Sequence, residues 1–244
     1  MQPCFFLDRT RLRTLALAAR DGYRIARPYP HAVLDGFLGD ELARALAPRF
    51  PGPLHPGWKR RDYKEQSARM GQLSRVGFEG VDPSIRHLLA ELSGMAFLDF
   101  LETLTGASGL IPDPHFRGAG LSLTLPGGHL ALHADFNRDR ARHLERKVTV
   151  LYYLGADWDV SWGGALELWD RERKRCEASY PPLLDRLIVM DHGDDCWHGH
   201  PSPLACPEDR FRASVAAYFY VAKPTLSEED QGHGAIWAPA DREP

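Results

Sequence analysis

The sequence is short of several things, and each shortage excludes something. No stretch of its 244 residues is apolar for long enough to span a bilayer. The apolar patch in MQPCFFLDRTRLRTLALAARDGYR is broken by Asp8, Arg9, Arg11 and Arg13, so a signal-peptide core is missing too. Cysteine is sparse: Cys4, Cys176, Cys196 and Cys206 have no paired zinc-type spacing. They read as reduced thiols in a cytoplasmic protein with no membrane partner. Excess charge of either sign is also absent. Lys and Arg number 30 against 33 Asp and Glu, a net charge of -3, which gives no electrostatic case for nucleic acid. There is no internal repeat and no low-complexity tract.

What remains is ordinary globular composition, 43% hydrophobic and 26% charged, enough for one domain with a full core. The texture changes along the chain. Residues 1–109 read as a mainly helical supporting region, 110–222 as a β core, and 223–244 as a polar tail. Leu12 to Arg20 has an apolar stripe, and Asp40 is placed to cap a helix from Glu41 to Leu46. Asp82-Pro83 is a helix start, a capping Asp followed by Pro in the first turn. Apolar residues then recur at helical spacing from Ile85 to a stop near Gly106. The Pro- and Gly-rich stretch PGPLHPGWKRRDYKEQSARMGQ reads as a long loop. Candidate strands follow at Gly120–Thr124, Leu130–Asp135, Lys147–Leu154, Ala165–Trp169, Arg186–Asp191 and Ser214–Val221. So many short strands in succession predict a jelly roll packed with supporting helices.

Two residues apart in a strand, His133 and Asp135 share a face. Two histidines and one carboxylate can hold one side of a metal ion such as iron(II) and leave its other positions open. A third ligand must come from another strand. His198, just past the apolar run RLIVMD, is the choice. His192 and His200 compete, and His200 has the same facing as His198. Cys196 is a conceivable thiol ligand, although a buried spectator cysteine is the commoner case. Fourteen residues after His198, Arg212 opens RASVAAYFYV, where Arg212, Ser214, Ala216 and Tyr218 alternate onto one face. An arginine buried there needs an anion. A dicarboxylate co-substrate gripped by two parallel hydrogen bonds would supply one, with Ser214 as a second donor. Pairing with an Asp or Glu of the chain is the competing reading, and Arg210 shares the facing of Arg212.

The blocks GAGLSLTLPGGHLALHADFNRD, KVTVLYYLGADW, WGGALELWD, WHGHPSPL and RASVAAYFY, in that order, resemble the prolyl-4-hydroxylase-like branch of the iron(II)/2-oxoglutarate dioxygenases, and its bacterial members in particular. The likeness covers roughly residues 116–222. YPHAVLDGFLGDELARAL is similar to the family's entry segment. The resemblance implies a double-stranded β-helix, a cupin-like jelly roll, with iron held by His133, Asp135 and His198. It implies Arg212 on the C5 carboxylate of 2-oxoglutarate, Ser214 beside it, and Tyr153 binding the same carboxylate. It also implies O2 as oxidant, support by ascorbate, and release of succinate and CO2 as a C–H bond is hydroxylated. Halogenating relatives lack the carboxylate that Asp135 supplies, so hydroxylation is the expected reaction. There is one departure: Leu123 stands where some relatives carry a tyrosine, about ten residues before the first histidine, so that wall of the co-substrate pocket is expected to differ. Gly155 replaces an Asn of many relatives and reads as a turn residue.

Substrate identity is not written in these motifs. A small molecule such as an amino acid or natural-product intermediate, or a peptide, is expected, met by Trp58, Lys59, Arg60, Arg61, Tyr63, Asn137, Arg138 and Trp197. In the tail, Ile236 and Trp237 are placed either to dock on the body or to meet a partner. Two other classes fit less of the pattern: an inactive jelly-roll binding protein, and a cupin-type metal hydrolase.

Overall fold

The computed structural model describes residues 5–73, 79–223 and 232–238. In chain order the elements are α1 (Arg9–Ile25), β1 (His31–Asp35), α2 (Asp40–Leu46), β2 (Lys59–Tyr63), β3 (Gln66–Leu73), α3 (Pro83–Glu91) and α4 (Met95–Thr105). Then come β4 (Ile111–Pro112), β5 (Gly120–Ala134), β6 (Arg138–Asp139), β7 (Leu144–Tyr153), β8 (Leu166–Trp169), β9 (Cys176–Tyr180) and β10 (Arg186–Asp191). The last are β11 (His198–His200), β12 (Arg212–Ala222) and β13 (Ile236–Trp237). No described helix is long and apolar enough to cross a membrane. Cys4 lies outside the described residues.

The strands pair antiparallel in the order β1-β10-β7-β12-β5-β11-β8-β9, a sheet curled into the double-stranded β-helix. Its faces are sorted by alternation. On β12, Ala213, Val215, Ala217 and Phe219 pack outward into the main core with Val148, Val150 and Tyr152 of β7, Leu121 and Leu123 of β5, and Leu187 and Val189 of β10. The helices cover that face: Leu12 of α1, Ile85 and Leu88 of α3, and Phe97, Phe100 and Leu104 of α4 join the same cluster. Phe97 makes ring contacts with Phe37, Phe100 and Phe219, which locks α4 onto the sheet. The opposite, inner face carries a smaller cluster that includes Tyr153, Leu166, Leu168, Ile188 and Met190, and beside it a cavity.

Several sequence expectations are corrected here. The two candidate strands before and after Gly127-Gly128 are one 15-residue strand, β5. Asp82 does cap α3, accepting from the Ser84 amide at 2.8 Å, and Gly106 closes α4 in the left-handed conformation. The periodic run between them breaks, however, because Ser93-Gly94 ends one helix and starts the next. Asp40 is not a cap: Gly39 holds that place without a side-chain bond, and Asp40 is the first helical residue. Much of the supposed long loop is the β2–β3 hairpin, and β3 runs along β5. Its polar sequence disguised it, since most of β2 faces solvent. β1, β9 and the short β11 were not expected from sequence either.

Candidate active site

β5 delivers His133 and, one residue past its end, Asp135; β11 pairs alongside with His198 directly opposite His133. One nitrogen from each ring and one carboxylate oxygen lie within 4.8 Å of one another, and all three residues are buried. His133 Nε2 is 3.6 Å from Asp135 Oδ1, and His198 Nε2 is 3.7 Å from Oδ2. Two ligand atoms about 2.1 Å from one metal and at right angles lie about 3 Å apart, so an ion would draw these groups in only slightly.

The tautomers suit a metal. His133 Nδ1 donates to the Ala131 carbonyl at 3.0 Å and His198 Nδ1 donates to the Cys196 carbonyl at 2.9 Å. A carbonyl only accepts, so each Nε2 keeps its lone pair toward the shared point. Burial, with His133 alongside, pushes the His198 imidazole down to about 4, which keeps it neutral. Burial alone would raise the Asp135 carboxyl, but the Arg146 guanidinium beside it holds it well below the usual carboxylate range.

Arg146 was not anticipated. Its Nη1 lies 3.1 Å from Asp135 Oδ2 and donates to the Phe136 carbonyl at 3.0 Å, with the guanidinium over the rings of Tyr218 and Phe136. Thr149 Oγ1 adds a weaker contact to Asp135 at 3.4 Å. Strict alternation would send Arg146 outward with Val148. A bulge in β7 between its pairings with Phe219 and Tyr220 restores it to the inner face. An arginine next to an apolar strand was the available signal, and it read as a strand boundary.

At the other end of the cavity Arg212, Ser214, Ser122 and Ala216 line the wall, as alternation on β12 requires. Arg212 is buried. Its Nε donates to the Gly164 carbonyl at 2.7 Å and its Nη2 to the Tyr153 hydroxyl at 2.9 Å. Among the described residues no carboxylate pairs with it. Arg210 is exposed beside Asp209, outside the cavity. Tyr153 is fully buried behind Arg212 and is not among the described residues lining the cavity.

His200 faces the same cavity as His198, while His192 lines a neighbouring one with Asn137, Lys147 and Asp194. Only His198 groups with His133 and Asp135. Cys196 is buried, and its backbone carbonyl, not its thiol, meets His198.

Leu123 requires a correction. It packs outward into the core under the helices, not into the co-substrate wall. The cause is a bulge: His198 pairs with His133 but His200 pairs with Leu130, so β5 spends three residues where β11 spends two. Parity flips there, and Ser122 and Thr124, not Leu123, share the faces of Ser214 and Arg212.

Of the residues expected to meet substrate, Arg61 reaches the cavity rim. Trp58 is structural: its indole donates to the Gly52 carbonyl and its ring packs near Phe50. Lys59 and Arg60 are exposed. Trp197 is buried with Arg173 over its ring, and Asn137 bonds to the backbone of His233. Gln66 and Trp237, neither proposed for the site, also line the cavity.

Residues 119–220 match the family model of the 2OG-Fe(II) oxygenase superfamily. Among solved structures, a prolyl-4-hydroxylase from Pseudomonas putida is similar at 20% identity and a TM-score of 0.58, over 84% of this chain and 98% of that one. A prolyl hydroxylase from Trichoplax adhaerens, solved with a hypoxia inducible factor peptide fragment, is similar at 16% identity and a TM-score of 0.56, over 87% and 90%. HygX from Streptomyces hygroscopicus, with nickel and 2-oxoglutarate bound, is similar at 11% identity and a TM-score of 0.50, over 86% and 92%. At these identities the structural likenesses establish the fold.

Proposed function

We propose that the chain, whose residues 119–220 match the 2OG-Fe(II) oxygenase superfamily, is an iron(II)- and 2-oxoglutarate-dependent dioxygenase in which His133, Asp135 and His198 hold the iron while Arg212 and Ser214 bind the far carboxylate of 2-oxoglutarate. The observation that carries this reading is the pairing of a buried His-Asp-His cluster with a buried arginine that meets no carboxylate among the described residues. Bound iron(II) supplies the coupling of O2 reduction to oxidative decarboxylation of 2-oxoglutarate, giving succinate, CO2 and an oxygen atom for a substrate C–H bond.

The chain's own residues do the rest. Ala131 and Cys196 fix the ring tautomers through their carbonyls. Arg146 and Thr149 keep Asp135 ionised and turned toward the histidines. Gly164 and Tyr153 hold the guanidinium of Arg212 at the cavity wall, so Tyr153 acts on the co-substrate through Arg212. An inactive binding protein would have no need of the complete set, and a metal hydrolase would have no need of Arg212.

The substrate we favour is an amino acid, a peptide or a small natural product, hydroxylated at an unactivated carbon. A structural neighbour is solved with a peptide fragment, which supports a peptide within that range. We place the enzyme in the cytoplasm, in keeping with free thiols at Cys176, Cys196 and Cys206.

The test is succinate release from 2-oxoglutarate in air with iron(II) and ascorbate. His133→Ala and Asp135→Ala should each lose more than the roughly hundredfold that disturbing a metal site's supporting bonds costs. Full turnover in either variant would overturn the ligand assignment.

A further inference from the structure

β3 and β13 come from distant parts of the chain yet lie end to end along one edge of β5. β3 occupies that edge from Leu121 to Leu130, and the Ala131 amide donates to the Glu65 carbonyl at 2.7 Å. β13 takes over at His133 and Ala134, with the Ala238 amide donating to the Leu132 carbonyl at 2.9 Å. The approach to β13 is pinned as well. Arg140 donates to the Gly232 carbonyl, the His233 amide donates to Asn137 Oδ1, and the His233 ring meets Asp194 at 2.8 Å. Among the described side chains, Gln66 of β3 and Trp237 of β13 reach the cavity wall.

Trp237 packs on the ring of His133, with centroids 5.1 Å apart and planes at 37°. Its indole N–H makes no hydrogen bond to a described residue, although such a group usually finds a partner when it is covered. Gln66 is buried. Its amide nitrogen donates to the Tyr63 hydroxyl, and its oxygen remains as an acceptor. One apolar plate on the ring of His133 and one neutral amide opposite Leu130 therefore line the same cavity.

Volume sharpens the point. The cavity is about 200 Å³ and must hold the roughly ten non-hydrogen atoms of 2-oxoglutarate together with any group a second molecule brings to the metal.

We propose that the C-terminal strand is part of the substrate subsite: Trp237 covers a small apolar group beside His133, and Gln66 takes a neutral hydrogen-bonding group next to it. This rests on the site reading given under Proposed function. It sets the recognised chemistry as neutral, an amide or hydroxyl beside the reacting carbon. A free carboxylate anchored by Arg61 on the rim is the competing outcome.

The experiment uses the full chain and two probes, Co(II) with 2-oxoglutarate for binding, and matched pairs of N-acetyl amino-acid amides and free amino acids for turnover. The expected result is that blocked amides raise succinate release and free acids do not. Trp237→Ala and Gln66→Leu should lower kcat/KM for the best amide by about tenfold or more, with dissociation constants for Co(II) and 2-oxoglutarate within about threefold of the parent. Trp237→Phe, which keeps the packing, should lose the share of Co(II) fluorescence quenching owed to an indole on a ligand histidine. Amide turnover untouched by these substitutions, a preference for free acids, no response to any amide, or loss of Co(II) and 2-oxoglutarate binding in step with turnover would each overturn the proposal. If the parent chain binds neither Co(II) nor 2-oxoglutarate, the site reading itself falls. If it binds both and the amide results fail, only this inference does.

Discussion

Two arginines are buried on the inner face of one sheet, and they have opposite surroundings. Arg146 lies against a carboxylate, with aromatic rings over its guanidinium. Arg212 is held by a neutral carbonyl and a phenol and looks into the cavity. A buried cation without a counter-charge is costly. The difference teaches which charge the fold already balances and which it leaves without a carboxylate among the described residues.

The largest effect should come from removing the balanced one. Arg146→Met leaves Asp135 buried without its partner, and breaking a buried pair from one side costs about 3–5 kcal/mol. Chemical denaturation of the metal-free protein would measure it. The pH dependence is distinctive. Asp135 titrates lower in the folded chain than in the unfolded one, so its contribution is present above about pH 3.9 and fades as pH falls through that range. The gap between parent and Arg146→Met should therefore be widest at neutral pH and narrow in acid. His198 adds acid sensitivity to both proteins. Its folded value of about 4 lies below the ordinary imidazole value, so stability is lost as pH drops from about 6.5 toward 4. A gap that stays constant with pH would show that the two charges do not communicate.

Arg212→Leu should do the reverse. Stability should change by no more than about 1 kcal/mol, since no carboxylate among the described residues is orphaned, while 2-oxoglutarate affinity falls by about two orders of magnitude. Arg212→Lys should fall between, because an ammonium cannot grip a carboxylate with two parallel bonds. Calorimetric titration with 2-oxoglutarate separates the three, and unchanged affinity in Arg212→Leu would remove the arginine from the co-substrate site.

A smaller effect is expected one step behind Arg212. Gly164 has φ +73°, and a methyl group there would sit 2.6 Å from Leu204 Cδ2 and 3.2 Å from Arg212 Cδ. Gly164→Ala should cost about 1–3 kcal/mol of stability and weaken 2-oxoglutarate binding about three- to tenfold by displacing the guanidinium. Iron affinity should hold, and its loss would mean that the loop supports the metal end too.

The sequence made some of this comparison legible. The alternation of Arg212, Ser214, Ala216 and Tyr218 onto one face is a local property of a regular strand, and the structure has it. The closeness of His133, Asp135 and His198 was readable because a short motif and a family order both pointed to them. Arg146 was hidden because a bulge is a property of the pairing between β7 and β12, invisible in either strand alone. Leu123 was placed on the wrong face for the same reason. The β2–β3 hairpin and β13 were illegible on other grounds. Both are held by backbone bonds to the edge of β5, and such bonds need no apolar pattern.

The bulge in β5 at residues 131–132 can be viewed as a shift of reading frame for side chains. On either side of it the strand spells inner and outer in opposite phase, and the cavity is legible to the fold only because the shift is there. Deleting the extra residue at the bulge would leave both halves in phase, whereas deleting one residue between Thr124 and Leu130 would exchange Ser122 and Thr124 for Leu121 and Leu123 on the inner face. The same deletion in the Val160–Trp162 turn would cost only local structure. A protein that tolerates substitutions along β5 can thus be intolerant of a single lost codon there.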